Sequence, residues 1–391
     1  MMKAELVFMP MPRKGHFISM VQLAKLLVNL YRNLFITILE GFGVLHVLTM
    51  KLDLDPKIAA YVDSFTATCI KFIHLPPPAT HKDVAVADFI TSLVQIHGPL
   101  VKKVAANIVQ YSSSGIDSHR LTALQDKQNV NIVELKNSDT EFTIPSYLNL
   151  VSSKLFPTVM LKPESLPMMN TLVRGLRKAK GIMINTFWEL ESHVISSLSY
   201  GNVPPICPMG PILDLDNESE LDEQPISSMV FLHFKSGGSF NGDQVKEIVC
   251  ALEQSGHWFL WSLCQSLDPS KSLMASPTDY DDSSEVFLEG FSNRTHDIGK
   301  IIGCTLQVVI LGHSVIGGFI SHCGWNSTLK SILFGVLMTA WPLYAEQQLN
   351  VFELVRELGL AVEINIDSRR DVINRGELEI VRAETIKESG V

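Results

Sequence analysis

The sequence predicts an α/β fold built from two doubly wound parallel sheets. Short apolar runs of strand length alternate with amphipathic helical patterns, and this βαβα order is typical of parallel sheets. A proline-rich, acidic stretch divides the alternation into two halves, and 391 residues suffice for two domains. We therefore expect an N-terminal domain over residues 1–200, a linker over 201–228 and a C-terminal domain over 229–391.

The first half opens with a predicted strand at 5–9, a loop at 10–15 and an amphipathic helix at 17–30. His16 falls where the strand meets the helix, and the helix dipole there disfavours a charged imidazole. Such a histidine can accept a proton, or it can simply cap the helix. The elements predicted after it are strands at 34–39, 69–74 and 181–187 and helices at 84–97, 100–110 and 189–197.

The second half repeats the alternation more regularly. Its first helix is predicted at 244–254, because Val245, Ile248, Val249 and Leu252 recur at i, i+3, i+4 and i+7. The strands predicted around it are 229–234, 258–262, 300–302, 317–321, 336–341 and 360–364.

Polar side chains follow the strand at 317–321 directly. Gly324 breaks the apolar run, and residues 326–328, Asn-Ser-Thr, precede a helix that we expect to begin at Leu329. A helix N-terminus attracts anions, most often phosphates, and His322, Asn326 and Ser327 add side-chain donors. The alternative is an ordinary helix cap without a ligand.

A second polar cluster, Glu346-Gln347-Gln348, opens another predicted helix after the apolar run at 336–341. In alternating β/α chains the ends of successive strands lie at one edge of the sheet, where ligands bind. The two clusters together favour a ligand with a charged middle and a hydroxyl-rich end.

Residues 303–347 resemble the signature box of the plant secondary-product UDP-glycosyltransferases. The resemblance rests on His-Cys-Gly-Trp-Asn-Ser-Thr at 322–328 and on the acidic residue followed by glutamine at 346–347. It extends over most of the chain and is strongest toward members acting on flavonoids, other phenolics or terpenoids. It implies a GT-B fold of two facing Rossmann-like domains, with the acceptor bound mainly by the first and the UDP-sugar by the second.

The resemblance also implies the roles of individual residues. His16 matches the catalytic base that deprotonates the acceptor hydroxyl. The reaction implied is a metal-free, inverting transfer from UDP-glucose to a flavonoid or similar phenol. The residues implied to bind the UDP-sugar are Ser236, Cys304, Thr305, Gln307, His322, Gly324, Trp325, Asn326, Ser327, Lys330, Glu346 and Gln347.

Two of these positions, and the neighbouring position 235, depart from the family pattern. Cys304 stands where the family has a tryptophan that stacks on uracil, and Lys330 stands where it has a glutamate that binds the ribose hydroxyls. Lys235 replaces a glycine beside the ligand. The first two losses together predict a donor Kd weakened by roughly 10²–10⁴.

A larger departure follows residues 112–121. Family members continue there into a strand, a helix and another strand, and the first of these strands carries the aspartate that orients the catalytic histidine. This chain passes at once to 122–129, and it ends before the C-terminal helices of the family. We expect an incomplete first domain and impaired activity. The alternative is a non-catalytic nucleotide-binding remnant or the product of a damaged gene; His16 and the signature box disfavour an epimerase or hydrolase on a related fold.

The composition argues against some classes of binding partner and indicates the cellular compartment. The net charge of −9 and the pI near 5.7 argue against nucleic acid and anionic membranes. The six cysteines show no CxxC pair or metal-ligand spacing, so free thiols are expected rather than disulfides or a zinc site. The first apolar run is too short for a secretory signal, and no 18-residue apolar stretch predicts a membrane span. We expect a cytoplasmic monomer.

Overall fold

The computed structural model describes residues 4–8, 14–31, 34–40, 70–74, 107–108, 140–157, 161, 177, 181–199, 204–215, 229–234, 240, 242–264, 280, 287, 290–303, 305–343, 346–364, 366–367 and 372–373. The strands are β1 (Ala4–Phe8), β2 (Leu34–Glu40), β3 (Ile70–His74), β4 (Asn107–Ile108), β5 (Glu141–Phe142), β6 (Val151–Ser152), β7 (Ile182–Ile184), β8 (Ile206–Pro208), β9 (Met229–His233), β10 (Trp258–Ser262), β11 (Gly299–Ile302), β12 (Ile316–Ser321), β13 (Leu337–Ala340), β14 (Ala361–Glu363), β15 (Ile366–Asp367) and β16 (Val372–Ile373). The helices are α1 (Lys14–Leu30), α2 (Trp188–Ser199), α3 (Gly242–Ser255), α4 (Phe291–Arg294), α5 (Gln307–Leu311), α6 (Trp325–Leu333) and α7 (Gln347–Phe352). None of these helices is long and apolar enough to cross a membrane.

The chain divides into two compact units. The first comprises Met1–Asp214 together with Pro269–Ala275, and the second comprises Leu215–Asp268 together with Ser276–Val391. The linker predicted at 201–228 is described only at 204–215, so its extent stays a prediction.

The second unit contains a six-stranded parallel sheet in the order β11-β10-β9-β12-β13-β14. The strand order reverses between β9 and β12, which are hydrogen-bonded neighbours with His233 paired to Ser321. Ligands of open α/β sheets bind at this reversal, outside the carboxyl ends of the strands. The predicted doubly wound parallel sheet is therefore confirmed in this unit.

The six-stranded sheet is buried on both faces, as expected of a parallel sheet covered by helices. On one face Phe231 of β9 stacks on Phe319 of β12 with ring centroids 5.6 Å apart. On the other face Leu232 and Ile320 pack with Trp261 of β10. Each of these five side chains is at most 1% exposed, and burying one contributes roughly 1.5–3 kcal/mol. The two cores, one on each face, hold the strands of this sheet rigid. The candidate site lies at the carboxyl ends of these strands.

The first unit has two separate three-stranded parallel sheets among its described residues, β1-β2-β3 and β4-β7-β8. The strand β4 lies inside the helix that we predicted at 100–110, and this part of the prediction is wrong. Asn107 and Ile108 pair instead with Ile182 and Met183 of β7. A two-residue strand is fixed by such a distant partner, so local periodicity does not reveal it. The helix predicted at 84–97 lies outside the described residues.

Candidate functional site

The candidate site is built on the tight turn between β12 and α6. Cys323 adopts φ = 58°, a left-handed conformation, and Gly324 then caps α6 with φ = −63° and ψ = 139°. The backbone amides of Ser327 and Thr328 donate to the Gly324 carbonyl at 2.8 and 3.0 Å. The helix thus begins at Trp325, and our prediction of a start at Leu329 is wrong. Asn326 and Ser327 lie within the first turn, at the positive end of the helix dipole.

His322 stands at the carboxyl end of β12 and is 5% exposed. Desolvation lowers the pKa of its imidazole to about 4, and a hydrogen bond with the backbone of His233 offsets part of that shift. The ring is therefore neutral at pH 7. A neutral imidazole has one N–H, and it can donate to an anion, without a charge of its own, in the tautomer whose proton is on the nitrogen that faces the anion.

Gly324 lies so close to this imidazole that a side chain at position 324 would collide with it. A Cβ placed on Gly324 would lie 2.8 Å from Nε2 of His322, closer than non-bonded atoms approach. Nε2 thus faces the N-cap of α6, where the helix dipole favours an anion. The imidazole and the helix end lie side by side, so both can contact one phosphate.

A buried polar chain lies beside the first turn of α6. Nε2 of Gln307, the first residue of α5, donates to Oγ of Ser327 at 3.1 Å. Nζ of Lys330 donates to Oε1 of the same Gln307 at 3.4 Å. Lys330 therefore brings a positive charge to the polar chain that contains Ser327.

The second predicted cluster opens α7, as expected. Glu346 occupies the N-cap position and is half-buried, whereas Gln347 is buried and its Oε1 accepts from the Leu343 amide at 2.8 Å. Trp325 is 6% exposed, and Asn326 is half-buried. Because α6 follows β12 and α7 follows the adjacent β13, the two clusters lie at the same edge of the sheet.

The structure describes some of the remaining predicted site residues. His16 lies in the first turn of α1, the next described helix after β1, and its side chain lies outside the described part of the chain. Thr305 is half-buried just before α5. Ser236 and Cys304 lie outside the described residues.

Two buried polar residues at the site were missed by sequence reasoning. His233 ends β9 with 0% exposure, and Asn350 of α7, also 0% exposed, donates from Nδ2 to the Cys323 carbonyl at 2.9 Å. The signal for His233 was its place at the end of the strand predicted before the order reversal. For Asn350 it was its place between the apolar residues Leu349 and Val351, three positions after Gln347.

Among the described cysteines, one differs from expectation. Cys207, Cys250 and Cys323 are free thiols, but Cys264 is disulfide-bonded, so the expectation of free thiols is wrong there. Burial raises the pKa of the Cys323 thiol to about 12, which keeps it protonated and unreactive. Across the described ranges no group of three or more His, Cys, Asp or Glu side chains could hold a metal ion.

Comparison with known proteins decides the family. Residues 236–389 match the family model described as UDP-glucoronosyl and UDP-glucosyl transferase. UDP-glucose flavonoid 3-O-glucosyltransferase 6 of Fragaria ananassa is 39% identical over 440 aligned positions, covering 96% of this chain and 89% of that protein. The chain belongs to the plant secondary-product UDP-glycosyltransferase family.

Two further comparisons agree with this family. Anthocyanidin 3-O-glucosyltransferase 1 of Manihot esculenta is 40% identical, over 91% of this chain and 87% of that protein. The crystal structure of a UGT transferase from Siraitia grosvenorii in complex with UDP has a TM-score of 0.80 and 33% identity, over 99% of this chain and 92% of that chain. The predicted GT-B fold is thereby confirmed.

Family membership makes this protein a UDP-dependent hexosyltransferase whose donor is a UDP-sugar. The 440 aligned positions exceed the 391 residues of the chain, so the alignment to the Fragaria protein opens gaps in this chain. The family thus contains segments that this member lacks. Their place after residue 121, and the roles of the individual site residues, stay predictions.

Proposed function

We propose that this glycosyltransferase moves glucose from UDP-glucose to a hydroxyl group of a flavonoid or a similar phenol, and that it does so slowly. The turn of His322 and Gly324 against the N-terminus of α6 is the observation that carries the proposal. It offers a neutral imidazole and a helix dipole to one anion, as the diphosphate of a UDP-sugar requires. The flavonoid acceptor follows the printed activity of the Fragaria relative.

The proposed reaction is an inverting transfer without a metal. His16 takes the proton of the acceptor hydroxyl, the oxygen attacks the anomeric carbon, and the bond between that carbon and UDP breaks. The negative charge that develops on UDP is met by His322 and by the N-terminus of α6. Glu346, Gln347 and Trp325 are assigned to the sugar.

Slow transfer is expected because the segment that we expect to be missing after residues 112–121 carries, in the family, the aspartate that orients the catalytic histidine. In the serine-protease triad, loss of the orienting carboxylate lowers turnover by roughly 10⁴. Without such a partner we expect the imidazole of His16 to keep neither a fixed tautomer nor a fixed orientation.

The test is transfer from UDP-glucose to phenols of graded acidity, by wild-type protein and by His16→Ala. We expect measurable transfer only to the most acidic phenols, because these need the base least, and we expect His16→Ala to abolish what remains. Transfer to an aliphatic alcohol at the same measurable rate by the two proteins would refute the role of His16.

The second candidate is a protein that binds UDP-sugars without transferring them. The gaps in the alignment to the Fragaria protein favour it, together with the cysteine and lysine at positions 304 and 330. UDP binding without transfer to any phenol would decide for this alternative.

The location and the assembly of the protein also belong to this proposal. We assign it to the cytoplasm as a monomer. The free thiols of Cys207, Cys250 and Cys323 favour a reducing compartment, whereas the disulfide at Cys264 argues against one. Fractionation of tissue extracts and sedimentation of the purified protein test the two assignments.

A further inference from the structure

The edge of the six-stranded sheet holds a buried side-chain amide to which the resemblance gives no role. Asn350 lies in α7, three residues after Gln347, and its exposure is 0%. An amide removed from water is unfavourable unless it is hydrogen-bonded. The contacts of Asn350 therefore indicate what the side chain does.

One side-chain hydrogen bond of Asn350 joins α7 to the turn between β12 and α6. Its Nδ2 donates to the carbonyl oxygen of Cys323 at 2.9 Å. Cys323 has φ = 58°, a region that is unfavourable for residues other than glycine and that persists only where the surroundings enforce it. The amide is part of what enforces it.

The other contacts of Cys323 hold different atoms. Its backbone amide donates to Oγ of Ser321 at 3.3 Å, its thiol donates to the Ser321 carbonyl at 3.5 Å, and its sulfur lies 3.4 Å from that of Met338. These contacts fix the amide and the side chain of Cys323. The bond from Asn350 fixes the carbonyl, and with it the plane of the peptide that leads to Gly324.

We propose that Asn350 is a positioning residue for the diphosphate of the donor. By holding the Cys323–Gly324 peptide it keeps the imidazole of His322 and the N-terminus of α6 directed at the same phosphate groups. Asn350 acts through this peptide and does not touch the ligand. The inference rests on the proposed function, because it assumes that a UDP-sugar binds at this turn.

This role can be separated from a merely structural one. A loosened fold weakens every ligand of the site to a similar degree, whereas a turned peptide affects the part of the ligand that it faces. The ratio of the Kd for uridine to the Kd for UDP therefore isolates the contribution of the diphosphate. A positioning residue changes this ratio.

The experiment measures both Kd values by calorimetry on the full chain, well below the melting temperature of each variant. Asn350→Asp keeps the shape of the side chain but removes the donor, and Asn350→Leu removes it without burying a charge. The matched control is Asn185→Asp, because Asn185 is 4% exposed, lies in the other unit and donates from Nδ2 to the Ile212 carbonyl at 3.1 Å.

We expect the uridine-to-UDP ratio to fall about tenfold or more in both Asn350 variants and to stay at the wild-type value in Asn185→Asp. An unchanged ratio in Asn350→Leu would overturn the inference, and this variant decides the matter if Asn350→Asp does not fold. A wild-type protein that binds UDP no better than uridine would overturn the proposed function and the inference with it.

Discussion

The change Gly324→Ala tests the geometry of the diphosphate site with a single added carbon. The backbone of Gly324, at φ = −63° and ψ = 139°, is one that alanine adopts without strain. Any effect therefore comes from the new methyl group, which would lie 2.8 Å from Nε2 of His322.

The size of the effect follows from that distance. Ordinary van der Waals contact begins at 3.4 Å, so the imidazole has to move by about 0.6 Å or the turn has to open. His322 is 5% exposed and has little room to move. Losing one hydrogen bond from its imidazole to a charged phosphate costs about 1.5–3 kcal/mol, which corresponds to a Kd for UDP that is about 10 to 100 times higher.

The assay is titration calorimetry with UDP, with the melting temperature recorded for each protein. Gly242→Ala is the control, because a Cβ at Gly242, the first residue of α3, meets no atom within 4 Å. We expect the control to bind UDP like the wild type and to be slightly more stable. A Gly324→Ala protein with wild-type affinity for UDP would show that the imidazole and the helix N-cap do not bind the same anion.

Three further predictions concern the same unit. Because the pKa of His322 is about 4 in the folded chain and 6.5 in the unfolded chain, the free energy of unfolding should fall by roughly 3 kcal/mol as pH drops through this window, and chemical denaturation of His322→Gln should lack that loss. The double change Cys304→Trp with Lys330→Glu should tighten UDP binding about tenfold or more in calorimetry, because it restores a stacking ring and replaces the cation beside Gln307 by an acceptor. Peptide mapping without reductant should find Cys264 linked to Cys69 or Cys304, because the other three cysteines are free thiols; recovery of Cys264 as a free thiol would refute the disulfide.

Much of the second unit could be predicted from sequence because its strands are buried on both faces. Phe231, Leu232, Phe319 and Ile320 form continuous apolar runs, which identify parallel strands without any periodicity. The six predicted strands coincide with β9 to β14 within one or two residues at each end. The alternating order then places the two polar clusters at one edge of the sheet, where the structure has them.

The details that could not be predicted depend on contacts between distant residues. The start of α6 was expected four residues too late because the left-handed turn falls on Cys323, a residue type that does not signal such a turn. The bond from Asn350 to this turn spans 27 residues. The two-residue strand β4 likewise exists only through its pairing with β7.

Binding of the donor and transfer of the sugar depend on different units of the chain. Every described residue assigned to the donor lies in the second unit, whose sheet has its own core on both faces. The segment that we expect to be missing belongs to the first unit, as does His16. A defect in the first unit therefore acts on the transfer step while leaving the turn at His322 and Gly324 in place. Measuring UDP affinity beside transfer rate assigns any loss to one unit: weak UDP binding points to Cys304 and Lys330, whereas tight binding with slow transfer points to an unoriented His16.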